Sequence, residues 1–145
     1  MTTGPNPADA EQLRQLLARF SHAFDNADAE ALGEVFAVDG SIELARTGAR
    51  FKGLEEIRAF SRDLGDESPD HQTVDSVFTV DPDGTVRGRS RYLAVLADGS
   101  VHNGDYFDTY TRTPDGWRIA HRRSVPRYPL ARPAKGPLRG GLGVG

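Results

Sequence analysis

Apolar residues in the first part of the chain fall on a helical period. Leu13, Leu16, Leu17, Phe20 and Phe24 recur at i, i+3, i+4, i+7 and i+11, one stripe along a helix from Pro7 to Asn26. Asn6 before Pro7 makes an N-cap and first-turn pair, and Asp9 and Glu11 suit the positive end of the helix dipole. Asp28 can cap a second short helix, Ala29 to Phe36, with Leu32, Val35 and Phe36 on one side, until Val38-Asp39-Gly40 breaks it. Ser41 to Leu44 reads as a short strand, and Thr47-Gly48 as a turn into another at Arg50 to Lys52. Gly53 opens a third helix to about Leu64, with Leu54, Ile57, Phe60 and Leu64 as its apolar face and Gly65 as its C-cap.

Beyond residue 70 the pattern changes to a period of two. Four strands are predicted, at His71 to Val80, Thr85 to Leu96, Ser100 to Thr113 and Trp117 to Val125. The breaks between them, Asp81-Pro82-Asp83-Gly84, Asp98-Gly99 and Thr113-Pro114-Asp115-Gly116, are short enough for an antiparallel meander. The order predicts an α+β domain, with three N-terminal helices packed on one face of a curved antiparallel sheet. Residues 126–145 are rich in Pro, Gly and Arg, and are expected to trail from the core or drape over a neighbouring subunit.

Composition narrows the function classes. A chain of 145 residues fits one domain, with its core at about 8–125. No apolar run is long enough for a membrane helix, and the start lacks the basic and apolar run of a signal peptide, so a cytoplasmic protein is expected. The absence of cysteine removes disulfides, thiolate nucleophiles and cysteine metal sites together. A net charge of -3 with interspersed signs makes nucleic acid an unsuitable partner. His22, His102 and His121 form no metal-binding spacing, and His22 lies off the apolar stripe, facing solvent. With no glycine-rich phosphate loop and no nucleophile elbow, neither a nucleotide cofactor nor serine hydrolysis is expected, and no metal or other cofactor.

A few residues stand out chemically. Asp25 follows Phe24 at the C-terminal end of the first helix, where the dipole disfavours a carboxylate. It is either solvated or kept for a partner, and His71 at the start of the first long strand is the candidate. Histidine titrates near neutral pH and serves as a general base; the plainer reading of His71 is a surface residue after Ser68-Pro69-Asp70. The last strand alternates Trp117, Ile119, His121 and Arg123. If the first two face the interior, His121 and Arg123 do as well, and a buried Arg123 needs an anion; alternatively Arg122 and Arg123 are a solvated pair. Arg87, Arg89 and Arg91 share one strand face, which turns Tyr92, Ala94 and Leu96 inward and makes Tyr92 a hydrogen-bond donor or a core aromatic. Asp105, Phe107 and Thr109 share one face of the next strand, and Tyr106, Asp108 and Tyr110 the other.

Three stretches, FDNADAEALGEVFAVDGSIEL, FKGLEEIRAF and above all GDYFDTYTRTPDGWRIAHRR, resemble the SnoaL-like branch of the NTF2-like superfamily over about residues 8–125. The resemblance implies a cone-shaped α+β barrel. It extends to members of the scytalone dehydratase, bile-acid 7α-dehydratase and hexachlorocyclohexane dehydrochlorinase types, in which an Asp ending the first helix meets a His inside the cone. Asp25 and His71 occupy those positions, and a cavity arginine of the dehydrochlorinase type falls on Arg123. The resemblance also puts Phe107 on the cavity wall, Asp105 near its mouth, and Phe20 where relatives carry Lys or Tyr, next to Phe24.

These readings together predict a cofactor-independent lyase or isomerase, of dehydratase or cyclase type, acting on a small, mostly apolar, oxygenated metabolite such as a polyketide or terpenoid intermediate. His71, Asp25 and Arg123 would be catalytic, with Phe20, Phe24, Tyr92, Phe107 and His121 holding the substrate. The alternative is a non-catalytic NTF2-like binding or assembly domain, which Phe20 favours. The Arg87, Arg89 and Arg91 face with Tyr106, Asp108 and Tyr110 beside it suggests a homo-oligomer, a trimer ahead of a dimer, with a small molecule as the other partner.

Overall fold

In the computed structural model, residues 3–130 are described. Helix α1 spans Pro7–Asp25 and α2 spans Leu54–Leu64. Six strands, β1 (Phe36–Leu44), β2 (Arg50–Lys52), β3 (Asp70–Val80), β4 (Val86–Val95), β5 (Val101–Thr113) and β6 (Gly116–Tyr128), form one sheet in the order β2-β1-β6-β5-β4-β3. The α+β class and the four-strand meander agree with the sequence, but two features differ.

The helices number two among the described residues, not three. The segment predicted as the second helix makes only a 3-10 turn at Ala31–Glu34, its first N–H bound to Asp28 Oδ1 at 3.2 Å. Tertiary pairing overrides the local pattern there. Phe36 is drawn into β1 beside Ile119, and the Val35 carbonyl accepts the Ile119 N–H at 2.8 Å. The sheet is also mixed: β1 runs parallel to β6, while every other neighbouring pair is antiparallel. β1 begins earlier than the sequence indicated, and Val38-Asp39-Gly40 lies within it, where the register shifts between Phe36 and Ser41. β6 runs on to Tyr128, so the segment read as a tail starts as strand; residues 131–145 lie outside the described residues.

The α1 stripe is buried as the period requires: Leu13, Leu16, Leu17, Phe20 and Phe24 join one core with Phe36, Ile57, Tyr92, Tyr106 and Ile119. Asn6 Oδ1 accepts the Asp9 N–H at 2.8 Å, which is the expected N-cap. Asp9 in turn accepts from Trp117 Nε1 at 3.1 Å and from Arg112, tying the start of α1 to the β5–β6 hairpin. At the other end the buried Ser61 hydroxyl of α2 donates to the Phe24 carbonyl at 3.1 Å. The same carbonyl also accepts the Ala27 N–H at 3.2 Å, so Ser61 adds a second donor from α2 to the turn that carries Asp25.

Gly104 is needed where β5 passes the stacked Tyr92. A Cβ there would lie 2.5 Å from the Tyr92 ring and 2.6 Å from its hydroxyl, and would also press on the Val125 carbonyl. Gly104→Ala should therefore destabilise the fold by about 1–3 kcal/mol through overpacking. Equilibrium denaturant unfolding checks this; an unchanged midpoint would mean that the tyrosine layer shifts freely.

Candidate active site

Asp25, the last residue of α1, and His71, the second of β3, meet through two contacts. Asp25 Oδ2 accepts the His71 backbone N–H at 2.6 Å, and Asp25 Oδ1 lies 2.7 Å from His71 Nδ1. A proton on Nδ1 completes the second bond and leaves the lone pair on Nε2. The side chains are 8% and 14% exposed, so the pair is nearly withdrawn from water. The His71 ring is flanked by Phe24 at 6.4 Å, Phe20 at 6.3 Å and Tyr92 at 6.0 Å between centroids. Asp25 is thus not simply solvated at the wrong end of the dipole: a backbone N–H and an imidazole N–H answer its charge.

The other arginine of the pair faces inward. Arg123 is on the outer face, its side chain 47% exposed and 4.0 Å from Glu43. Arg122 is buried, 1% exposed, and its Nε and Nη2 each donate to Asp108 at 2.8 Å. The cause is a bulge. Ile119 pairs with Tyr110 and His121 with Thr109, so Ala120 is extra and the alternation slips by one residue. The same slip carries His121 out, where Nδ1 meets Ser41 Oγ at 2.6 Å. With two adjacent arginines one had to face inward in either register; only the bulge decides which, and no residue in β6 alone announces it.

Phe107 also departs from its expected place. It is 38% exposed on the outer face with the Arg89 guanidinium 5.2 Å above its ring. Asp105 shares that face and is held by Arg91 at 2.8 Å, Arg89 at 3.3 Å and Arg127 at 3.9 Å, so it is committed to arginines and not to a cavity mouth. Conversely Tyr106, Asp108 and Tyr110 are buried inside and cannot form the associating surface suggested for them. Tyr92 points inward as the alternation required and stacks on Tyr106 at 4.7 Å. Phe20 stacks on Phe24 at 5.2 Å, and the Arg122 guanidinium lies between the rings of Phe20 and Tyr106 at 4.3 and 3.8 Å. Phe20 and Phe24 therefore stand beside His71 and fill the space around it.

Burial governs the titration of this interior. It raises Tyr92, Tyr106 and Tyr110 above their ordinary value of 10.0, the last with help from Asp108. Burial alone would lower Arg122, but the Asp108 carboxylate outweighs it and the guanidinium is held charged. Its Nη1 has no hydrogen-bond partner among the described residues. No group of three metal-ligating side chains occurs among the described residues.

A helix pair laid on a curved mixed sheet, with an Asp–His pair joining the first helix to the first long strand, defines an NTF2-like protein. A model of the SnoaL-like domain matches residues 7–123, and the chain belongs to that family. No curated protein matches it in sequence. Its fold is similar to that of an NTF2-like protein with a cystatin-like fold from Novosphingobium aromaticivorans, at 28% identity and TM-score 0.72, over 86% of this chain and 85% of that one. Rv3472 of Mycobacterium tuberculosis, a protein of unknown function, is 26% identical, with TM-score 0.70 over 84% and 76% of the two chains. LinA, at 19% identity and TM-score 0.72 over 90% and 95%, shares the fold.

Two outcomes follow from the buried interior. Asp108→Ala leaves Arg122 charged and unpaired inside, and should cost about 3–5 kcal/mol in unfolding free energy; a loss below 1 kcal/mol in denaturant titration would show that water reaches the guanidinium. The unfolded chain ionises its phenols near 10, whereas the folded chain holds three of them protonated to higher pH. This contribution is complete below pH 10 and is lost as the pH rises through the folded values, so stability should fall with alkalinity. Ultraviolet titration should then show Tyr92, Tyr106 and Tyr110 ionising late or only on unfolding.

Proposed function

We propose that the protein is a cofactor-independent lyase or isomerase in which His71 removes a proton from carbon, α to a carbonyl or β to a leaving group, of a small oxygenated metabolite. The observation that carries this reading is the double contact of Asp25 with His71. One carboxylate oxygen holds the backbone and the other the ring, whose Nε2 keeps its lone pair; the ring is flanked by Phe20, Phe24 and Tyr92. Asp25 orients the imidazole and balances the imidazolium formed on proton transfer. The arginine that faces inward is Arg122 and not Arg123, but it is held by Asp108, so the polar side chain beside the imidazole that could answer charge developing on the substrate is Tyr92. Dehydration, cyclisation and double-bond migration share that first step.

A second reading, a non-catalytic small-molecule-binding domain, is favoured by Phe20, which puts an aromatic ring and no donor next to the imidazole. Mutant kinetics separates the two. On a turned-over substrate, His71→Ala should lower the rate on the order of 10²-fold or more, as loss of a general base does. Asp25→Asn should keep the fold yet also slow turnover, because an amide cannot balance the imidazolium. Wild-type rates in both variants would leave the binding-domain reading standing alone.

A further inference from the structure

The aromatic side chains inside the sheet leave little room to approach His71 from within. Phe20, Phe24, Phe36, Tyr92 and Tyr106 pack with neighbouring centroids 4.7 to 5.9 Å apart, and all five are nearly or fully buried. Open space reaches the pair from elsewhere. A groove of about 800 Å³ runs along the flank of α1 beside the edge strand β3, and both Asp25 and His71 line it. That volume is within the range of small-molecule sites, roughly 300–1,000 Å³. Its helix wall includes Ala18 and Ser21, its strand wall Gln72 and Thr73.

The lining has two further properties. Ser21 Oγ and Thr73 Oγ1 are enclosed without a hydrogen-bond partner among the described residues. Unpartnered buried hydroxyls are costly, and rotation about χ1 can present either to the groove. The fixed charges are one cation, Arg14, against Asp25, Asp70 and Asp75. Asp70 and Asp75 are exposed and make no ion pair among the described residues. Asp75 sits in a β3 bulge with φ +52°, where the register slips between Val74 and Val77.

We infer that the α1–β3 groove is the route to His71, and that it admits polar molecules that are neutral or cationic while rejecting anions. This deepens the proposed function, since it rests on His71 being the reacting group, and it narrows the small, mostly apolar, oxygenated metabolite to one that is more polar and lacks a carboxylate or phosphate. Asp70 and Asp75, exposed along the groove and without an ion-pair partner among the described residues, outnumber Arg14 and repel an anion approaching the ring.

The chain has no cysteine, so haloacetyl reagents can be read out on histidine. Bromoacetamide, which is neutral, and bromoacetate, which is anionic, would be reacted with the intact protein and the alkylated histidines quantified by peptide mass spectrometry. His121, on the outer face, serves as the internal reference. The expected result is alkylation of His71 with a preference for bromoacetamide on the order of tenfold beyond that at His121. Asp70→Asn with Asp75→Asn should remove most of that preference. Ala18→Trp and, from the opposite wall, Gln72→Trp should each abolish most reaction at His71 and leave His121 unchanged; both positions line the groove and are exposed, and folding is verified by circular dichroism. Undiminished alkylation of His71 in either folded Trp variant, or no reaction at His71 in the wild type, overturns the route. Equal rates for the two reagents overturn the charge selection. Because the readout needs no turnover, it is separate from the base assignment: His71→Ala with full activity would remove the base and leave the groove.

Discussion

Everything about this site depends on one carboxylate making two bonds. Asp25 ends α1, and His71 follows 46 residues later in the chain, on β3 at the far edge of the sheet. Binding both the main-chain N–H and the ring of His71 fixes the strand's position and the imidazole's orientation with a single group. Such a charge, so little exposed, is tolerable only when its lone pairs are answered by donors. Ser61 reinforces the arrangement from α2 by donating to the preceding carbonyl, which also accepts the Ala27 N–H, so the helix end that carries Asp25 is held from two sides.

The second buried charge pair, Arg122 with Asp108, solves a different problem. It lies between aromatic rings, and Tyr110 donates a third bond to Asp108 at 2.9 Å. An ion pair this deep gains little net stability over a well-packed apolar core, but it is expensive to break. Its place in the interior depends on the Ala120 bulge, which also expels His121 and Arg123 to the outer face. The outer face holds Arg87, Arg89, Arg91, Arg123 and Arg127 around Asp81, Asp105 and Glu43, while among the described residues the interior keeps a single arginine with its own carboxylate.

Much of this was legible in local patterns. The 3.6 period of Leu13 to Phe24, the cap at Asn6 and the turn signals before and after β4 and β5 are short-range facts, and they survive folding because local geometry enforces them. Asp25 advertised itself by being wrong for its place on a helix, and the family resemblance supplied His71 as its partner. The inward Tyr92 followed from the arginines that alternate with it.

What failed locally failed for a tertiary reason. The stretch after Asp28 has a helical pattern, yet Phe36 is worth more in a strand beside Ile119, a partner more than eighty residues away. The parallel contact of β1 with β6 is a long-range pairing with no local signal. Alternation assigned faces on β4 correctly because that strand keeps an unbroken register against β5, and on β6 incorrectly because one extra residue inverts the side chains from His121 up to the next slip at Arg127. On β5, whose two faces the alternation separated correctly, only the neighbouring strands show which one is inside. The sequence by itself determined α1, α2 and the four strands of the meander, and singled out the two residues that meet; the tertiary structure decided the fate of the stretch after Asp28, which arginine is buried and what fills the interior, since register and enclosure are set by contacts between strands and not within them.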